Sequence, residues 1–202
     1  IELLFDLYKV YINNTKKNNQ ESFDEFIGWG KTLLGDFNEI DRELCNTKSL
    51  FNYLEAIKDI NHWSNYEKEN ELIKKYKTFW KNIKTYHKDL RKNLHEKRKG
   101  YQGLIYKEAV EKIHNYVENQ KNRKHIFIGF NALSKSESDI IQEIIQNNLG
   151  EIYWDIDVKH VRSEYNNANY FFDSYIKNWT YYKNHKPNII TDVYSDKKNI
   201  SV

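Results

Sequence analysis

The chain has 202 residues, enough for one domain or two small ones with a core that needs no disulfide or metal. Its formal net charge is only +3, so overall charge by itself does not indicate a nucleic-acid partner. A single cysteine excludes an intramolecular disulfide and a four-cysteine zinc site, and the sequence shows no membrane-spanning run or signal-peptide pattern. We therefore expect a folded protein of the cytoplasm. Because the chain opens at Ile1 and contains no methionine, we also expect it to be a piece of a longer protein.

Helical periodicity runs through about the first 120 residues, which predicts an α-helical domain over residues 1–124. The Ser22-x-x-Glu25 spacing is typical of a helix start, because each side chain can bond the backbone N–H of the other. We predict helices over about 4–11, 22–44, 50–57, 67–99 and 103–120. The inward face of the last helix is predicted to carry Leu104, Ile105, Ala109, Ile113, Tyr116 and Val117.

The pattern changes after residue 124. The apolar run Ile126–Phe130 predicts a strand, and Ser134 to Glu137 repeats the capping spacing ahead of an amphipathic helix. Glu151–Ile156 predicts a second strand, parallel to the first, with a right-handed crossover and a three-layer α/β core. A further helix is predicted over Ala168–Trp179, and Asn199–Val202 resembles the start of a strand. The predicted fold class is thus α+α/β, with a partial α/β core over residues 125–202.

Gly30-Lys31-Thr32 is similar to the end of a phosphate-binding P-loop. The first glycine of that motif would fall at Glu25, and the tripeptide lies within a predicted helix without a preceding strand. We therefore interpret Gly28 and Gly30 as positions of close helix packing.

Asp155 and Asp157 lie one residue apart at the end of the second predicted strand, where two carboxylates could share Mg²⁺ or Mn²⁺. Such a pair occurs in nucleotidyl and glycosyl transferases, and Asp157-Val158-Lys159 imitates half of a restriction-type nuclease site. The alternative without a metal is that both carboxylates are solvated or cap backbone groups. The seven histidines show no metal-binding spacing, so apart from this alternative no metal site is predicted.

Basic residues crowd the long predicted helix, interleaved with Tyr76, Trp80 and Tyr86. Lysine and arginine on one face would bind a phosphate backbone, and exposed aromatic rings could stack on bases. The alternative, which we favour, is that the lysines only solvate the helix while the aromatic rings form its core stripe. Lys74, Lys75, Lys77 and Lys97 belong to this basic run. The candidate DNA-binding residues within it are Lys81, Lys84, Lys88, Arg91, Lys92, Arg98 and Lys99.

Two stretches carry a family resemblance, one from Ile126 to Glu137, "IFIGFNALSKSE", and one from Glu151 to Asp157, "EIYWDID". Together with residues 23–44 and 100–106, they resemble a Bacteroidetes-type, AddB-like family of inactivated superfamily I helicases with a PD-(D/E)XK nuclease domain. The residues that carry this signature are Gly129, Phe130, Asn131, Ala132, Leu133, Glu137, Trp154, Asp155 and Asp157.

The resemblance implies that residues 1–124 are a helical insertion of a helicase-like motor domain. It implies that residues 125–202 are part of the P-loop-helicase-like core around helicase motifs II and III. An active motor carries Asp-Glu after the first of these strands to hold Mg²⁺, whereas this chain has residues 129–132 there, without a carboxylate. Glu137 is expected to cap the next helix instead. The nuclease of the family would lie C-terminal to this chain, so none of its catalytic residues can be assigned here.

These observations lead to one main hypothesis and two rivals. The main hypothesis is a noncatalytic helicase-like scaffold segment of a double-strand-break repair helicase-nuclease. Its expected partners are DNA, as duplex ends or single strands, and an active helicase-nuclease subunit. We expect no cofactor and no membrane partner. The rivals are a metal-dependent transferase or nuclease that uses Asp155 and Asp157, and a helical module that binds another protein.

Overall fold

A computed structural model describes residues 1–54, 71–120, 122–157 and 169–191, with the side chains of residues 71–77 and 190–191 left out. The chain forms two compact units, Ile1–Glu108 and Ala109–Val202. Several predictions fall outside the described residues: Ile57, residues 67–70, Lys159, Ala168 and residues 199–202. None of the described helices has the length and apolar character that crossing a membrane requires.

The first unit is helical, as its periodicity predicts. Its α-helices are α1 (Glu2–Asn14), α2 (Phe23–Arg42), α3 (residues 47–54 as described), α4 (Glu71–Glu96) and α5 (Gln102–Asn119), with a short 3₁₀ helix at Lys17–Asn19. The division between the units falls within α5, earlier in the chain than the change of pattern at residue 124. The start of α2 is a capping box, in which Ser22 accepts from the Glu25 N–H and Glu25 accepts from the Ser22 N–H. This confirms the predicted helix start.

The core of the first unit collects the apolar stripes of α1, α2 and α4. Leu7, Phe26, Phe37, Leu90 and Leu94 are fully buried. Removing such side chains from water contributes roughly 1.5–3 kcal/mol each, which exceeds anything that helix propensity alone supplies. The spacing of three and four residues read from the sequence therefore identifies the faces that hold this unit together.

The glycines of α2 only partly match the predicted role in close packing. A Cβ on Gly30 would come within 2.8 Å of Phe26 Cζ, so that position does allow a close approach, in this case by a ring of the same helix. A Cβ on Gly28 would meet nothing within 4 Å, so the prediction for Gly28 is wrong. Helix α5 comes close to α2 at Gly103, where a Cβ would overlap the carbonyl oxygen of Asn38 and lie 2.9 Å from the Arg42 nitrogen.

Helix α5 packs through its first turn. Leu104 is 2% exposed and Gly103 is buried, but Ile105 is 54% exposed and Ala109 is also exposed. The prediction that Ile105 and Ala109 face inward is therefore wrong. The approach of α5 to α2 at Gly103 turns those two positions toward solvent.

The second unit contains a three-stranded parallel sheet in the order β1-β2-β3. Its elements after α5 are β1 (His125–Ile128), α6 (Lys135–Gln146), β2 (Gly150–Asp157), α7 (Tyr170–Asn178), a 3₁₀ helix (Thr180–Lys183) and β3 (Asn188–Thr191). The predicted β1-α6-β2 unit and the parallel pairing of its strands are confirmed. The sequence reading missed β3.

Helices α6 and α7 of the second unit pack on one face of the sheet. Ile141 of α6 and Phe172 of α7 belong to the same buried cluster as Ile152 and Trp154 of β2. Right-handed crossovers between strands in the order 1-2-3 place both helices on the same side, which explains the arrangement.

The opposite face carries Ile126 and Ile128, which are each 61% exposed. The predicted three-layer α/β core would cover this face of β1 with helices, and the exposure of both side chains contradicts that expectation for β1. A third layer is not seen among the described residues, so the described part of this unit consists of a sheet and one helical layer.

Candidate nucleic-acid interface

Four of the candidate DNA-binding lysines share one face of α4. Lys81, Lys84, Lys88 and Lys92 follow one another at intervals of three or four residues and are all exposed. At 3.6 residues per turn, their side chains leave the helix within about 80° of one another. The face extends for roughly 16 Å, over which one strand of B-DNA presents about five phosphates. We call these four residues the lysine face.

The lysine face lies opposite the buried side of α4. Ile83, Tyr86, Leu90 and Leu94 are each less than 5% exposed and fix which side of the helix meets the core. The rotation of α4, and with it the outward direction of the four lysines, is therefore set by the apolar residues between them.

The local charge of this face is positive throughout. Lys81, Lys88 and Lys92 make no hydrogen bond or ion pair with the described part of the chain, and Lys84 donates to Asn52 Oδ1 at 3.2 Å. The acidic residues of this stretch, Asp89 and Glu96, lie outside the sector of the lysines. Because none of the described carboxylates pairs with these four lysines, their charges are available to phosphates as far as the described residues extend.

The other three candidates have different surroundings. Arg91 is half-buried, and its Nε lies 3.9 Å from Asp41 Oδ2. Lys99 pairs with Glu2, and this ion pair raises the pKa of Lys99. Arg98 is exposed, with a left-handed backbone φ of 52° just after α4. The structure thus groups four of the seven candidates and directs Arg91 and Lys99 to acidic partners within the chain. The side chains of Lys74, Lys75 and Lys77 lie outside the description.

The aromatic side chains of α4 that are described, Phe79, Trp80 and Tyr86, belong to the core stripe, and the side chain of Tyr76 lies outside the description. Tyr86 is 2% exposed, packs on the ring of Tyr11 and shares a hydrogen bond of 3.1 Å with Thr15. Trp80 packs against Phe79 and the apolar core of the first unit. Buried in this way, the Tyr86 ring cannot stack on bases, and the lysine face itself offers charge rather than base contacts.

A buried ionic cluster behind the lysine face was not predicted from the sequence. Asp41 is completely buried and accepts hydrogen bonds from Tyr101 Oη and from Lys107 Nζ, the latter at 2.8 Å. His87 Nε2 lies 2.9 Å from Asp41 Oδ2, and Arg91 approaches the same oxygen. His87 and Arg91 are on α4, Asp41 is on α2 and Lys107 is on α5. The cluster therefore ties three helices together around one carboxylate.

Electrostatics within the cluster favour a charged aspartate beside a neutral tyrosine. Burial by itself raises the pKa of Asp41, but the hydrogen bonds from His87, Lys107 and Tyr101 outweigh it and leave that pKa well below its usual range. Burial, followed by the negative charge of Asp41, raises the pKa of Tyr101. Asp41, His87 and Tyr101 are each at most 5% exposed, so no substrate reaches them. We interpret this Asp41 cluster as a support that positions α4.

The signature residues of the second unit occupy a turn, a helix cap and the core. Gly129 follows β1 with a φ of 78°, and the backbone N–H of Leu133 donates to Tyr175 Oη at 2.7 Å. Glu137 completes a capping box with Ser134, which confirms its expected role. Trp154 is fully buried. Phe130, Asn131 and Ala132 are exposed in the loop between β1 and α6.

The two aspartates of the alternative metal site differ in environment. Asp155 is exposed, whereas Asp157 is 4% exposed, and the pairing of β2 with β3 shifts register between Trp154 and Asp157. Within the described ranges, no group of three or more His, Cys, Asp or Glu residues could hold a metal ion. Nothing in this geometry favours a metal-dependent reaction over capping or solvation.

Gly30-Lys31-Thr32 lies within α2, one turn after the Phe26 ring, and not in a loop that follows a strand. Comparisons with protein-family models, curated proteins and solved structures find no match for this chain.

Proposed function

We propose that the chain binds nucleic acid through the sugar-phosphate backbone, with the lysine face of α4 as the contact surface. The observation that carries the proposal is the row of Lys81, Lys88 and Lys92 on one exposed helix face, where none of the three pairs with a described residue. The Asp41 cluster supports it, because it holds α4 against α2 and α5 and gives the row a fixed direction. Contacts of this kind depend on salt and not on base sequence.

We further propose that this activity belongs to a noncatalytic segment of a DNA-break repair helicase-nuclease. The support for this finer proposal is the resemblance over residues 126–137 and 151–157, together with a loop after β1 that lacks carboxylates. The same resemblance is the basis for proposing a P-loop-helicase-like three-layer core. It is also the basis for proposing an active helicase-nuclease subunit as partner.

The test is a salt series of binding to a fluorescently labelled duplex and to a single strand, read by anisotropy. A triple variant, Lys81→Gln, Lys88→Gln and Lys92→Gln, removes the row. We expect it to weaken binding and to lower the slope of log affinity against log salt by roughly 2–3 for duplex, since each lost phosphate contact removes about 0.9.

The matched control replaces three exposed lysines of other elements, Lys17, Lys31 and Lys48, with glutamine. Both triple variants lower the formal net charge from +3 to 0, so only the position of the lost charge differs. The proposal fails if the unmodified chain does not bind at the lowest salt concentration. It also fails if the control triple weakens binding as much as the α4 triple.

A further inference from the structure

The first unit contains a cavity of about 560 Å³ between α2, α3 and α4 that the proposed nucleic-acid contact does not use. Its walls include the aromatic side chains of Trp29, Phe79 and Trp80, and its floor is formed by the buried Leu33, Phe37 and Ile83. No residue of the lysine face lines it. The volume falls within the range of roughly 300–1,000 Å³ that is typical of small-molecule sites.

One side of the cavity is polar and acidic. Thr32, Asp36 and Glu39 line it from successive turns of α2, and all three are exposed to solvent. Glu39 is neutralised by Arg42 at 2.6 Å, whereas Asp36 has no ion pair within the described residues. No lysine, arginine or histidine is among the described residues that line the cavity. The uncompensated charge of the described lining is therefore negative.

Aromatic walls and an acidic rim select for the same kind of ligand. The face of an indole or phenyl ring carries negative electrostatic potential and attracts cations, most strongly in tryptophan. A carboxylate at the rim attracts the same charge, while the apolar floor stabilises a hydrophobic body. An anionic amphiphile of equal size would gain the apolar contacts but would meet repulsion from Asp36.

We propose that this cavity is a binding site for a small organic cation with an apolar body, such as an alkylammonium compound. The ammonium group lies at the rim beside Asp36, and the apolar body lies between Trp29 and Trp80. The site is separate from the proposed nucleic-acid contact, so either proposal can fail without the other.

The chain offers a matched pair of variants for the test. Gly28 lines the cavity, and a Cβ there would meet nothing within 4 Å, so Gly28→Leu fills space without a clash at the backbone. Gly35 lies in the same helix, is equally unobstructed and does not line the cavity. Gly35→Leu therefore reproduces the change in helix propensity and hydrophobicity at a position outside the cavity lining.

The experiment titrates the 202-residue chain with decyltrimethylammonium and with decanoate, which share a ten-carbon chain and differ in charge. Both are kept below their micelle concentrations, and tryptophan fluorescence reports binding. We expect saturable binding of the cation, at least tenfold tighter than that of decanoate. Gly28→Leu should weaken cation binding at least tenfold, Asp36→Asn should weaken it severalfold, and Gly35→Leu should leave it unchanged.

Three outcomes would overturn the proposal: no saturable binding of the cation, equal binding of decanoate, or unchanged cation binding in Gly28→Leu. Circular dichroism of each variant checks that the helices remain folded. An equal loss of cation binding in Gly35→Leu and Gly28→Leu would also contradict the proposal. It would show that a leucine anywhere in this part of α2 weakens binding, whether or not it fills the cavity.

Discussion

Asp41 shows how one residue can determine the behaviour of a surface at some distance from it. Its carboxylate is buried among His87, Tyr101, Lys107 and Arg91, and it is the acidic partner that the structure gives to these groups. Removing one charge from a buried ionic cluster leaves the remaining charges buried without a counter-charge. The resulting loss of stability is larger than the net stabilisation that an intact buried ion pair provides. Stability and the orientation of α4 should therefore both depend on Asp41.

We expect Asp41→Asn to lower the free energy of unfolding by about 3–5 kcal/mol, because Lys107 and Arg91 lose their buried counter-charge. The measurement is urea unfolding followed by circular dichroism. Asp36→Asn is the control, since Asp36 is exposed in the same helix and should change stability by less than about 0.5 kcal/mol. Equal effects of the two variants would contradict the role assigned to the Asp41 cluster.

The low pKa of Asp41 in the folded chain also predicts how stability changes in acid. A carboxyl group whose pKa is lower in the folded state than in the unfolded state stabilises the fold fully above its unfolded pKa, about 3.9. This contribution is lost as the pH falls below that value toward the folded pKa. The difference in unfolding free energy between the unmodified chain and Asp41→Asn should shrink as the pH falls below about 4. A difference that grows as the pH falls below about 4 would contradict the assigned pKa direction.

At the scale of elements, helix pairs are held at distances that particular side chains set. Helices α2 and α5 meet at Gly103, whose N–H donates to Asn38 Oδ1 at 2.8 Å. The missing side chain at this position permits the approach, and any Cβ would overlap the backbone of α2. Packing at this one residue thus decides where α5 begins relative to the core of the first unit.

We expect Gly103→Ala to destabilise the chain by about 1–3 kcal/mol, the usual cost of overpacking, although alanine is the better helix former. Gly35→Ala provides the opposite case, because a Cβ there meets nothing within 4 Å. That variant should stabilise the chain by up to about 1 kcal/mol. Thermal unfolding of both variants tests the pair. A stabilising Gly103→Ala would show that α2 and α5 do not meet as described.

Elements with a repeated local signal were predictable, and elements without one were not. The stripes of α2 and α4 and the two capping boxes follow from spacing within a few residues, and the structure confirms them. Strand β3 was missed because its four residues, after Pro187, contain only two apolar side chains and are stabilised by pairing with β2. Ile105 was wrongly predicted to face inward. The close contact at Gly103 sets the rotation of α5, and the spacing of apolar residues in the sequence does not reveal that contact.

For the whole molecule, the sequence predicted the order of the two parts better than the chemistry of the site. A helical part followed by a parallel βαβ unit was expected and is present. The lysine face also follows from the spacing of residues 81, 84, 88 and 92. The Asp41 cluster does not, since its partners are 46, 60 and 66 residues away in the chain. Arg91 and Lys99 could not be separated from the exposed lysines for the same reason: their acidic partners are distant in sequence.

Among the described strands, β1 lies at one edge of the sheet and is short, which has a consequence for how copies of the chain behave in concentrated solution. It contains four residues. An incoming strand could form only a few backbone hydrogen bonds with β1, which is too few to template continued growth of a sheet. The short length of β1 thus discourages fibril formation at this edge, even though Ile126 and Ile128 expose apolar surface there.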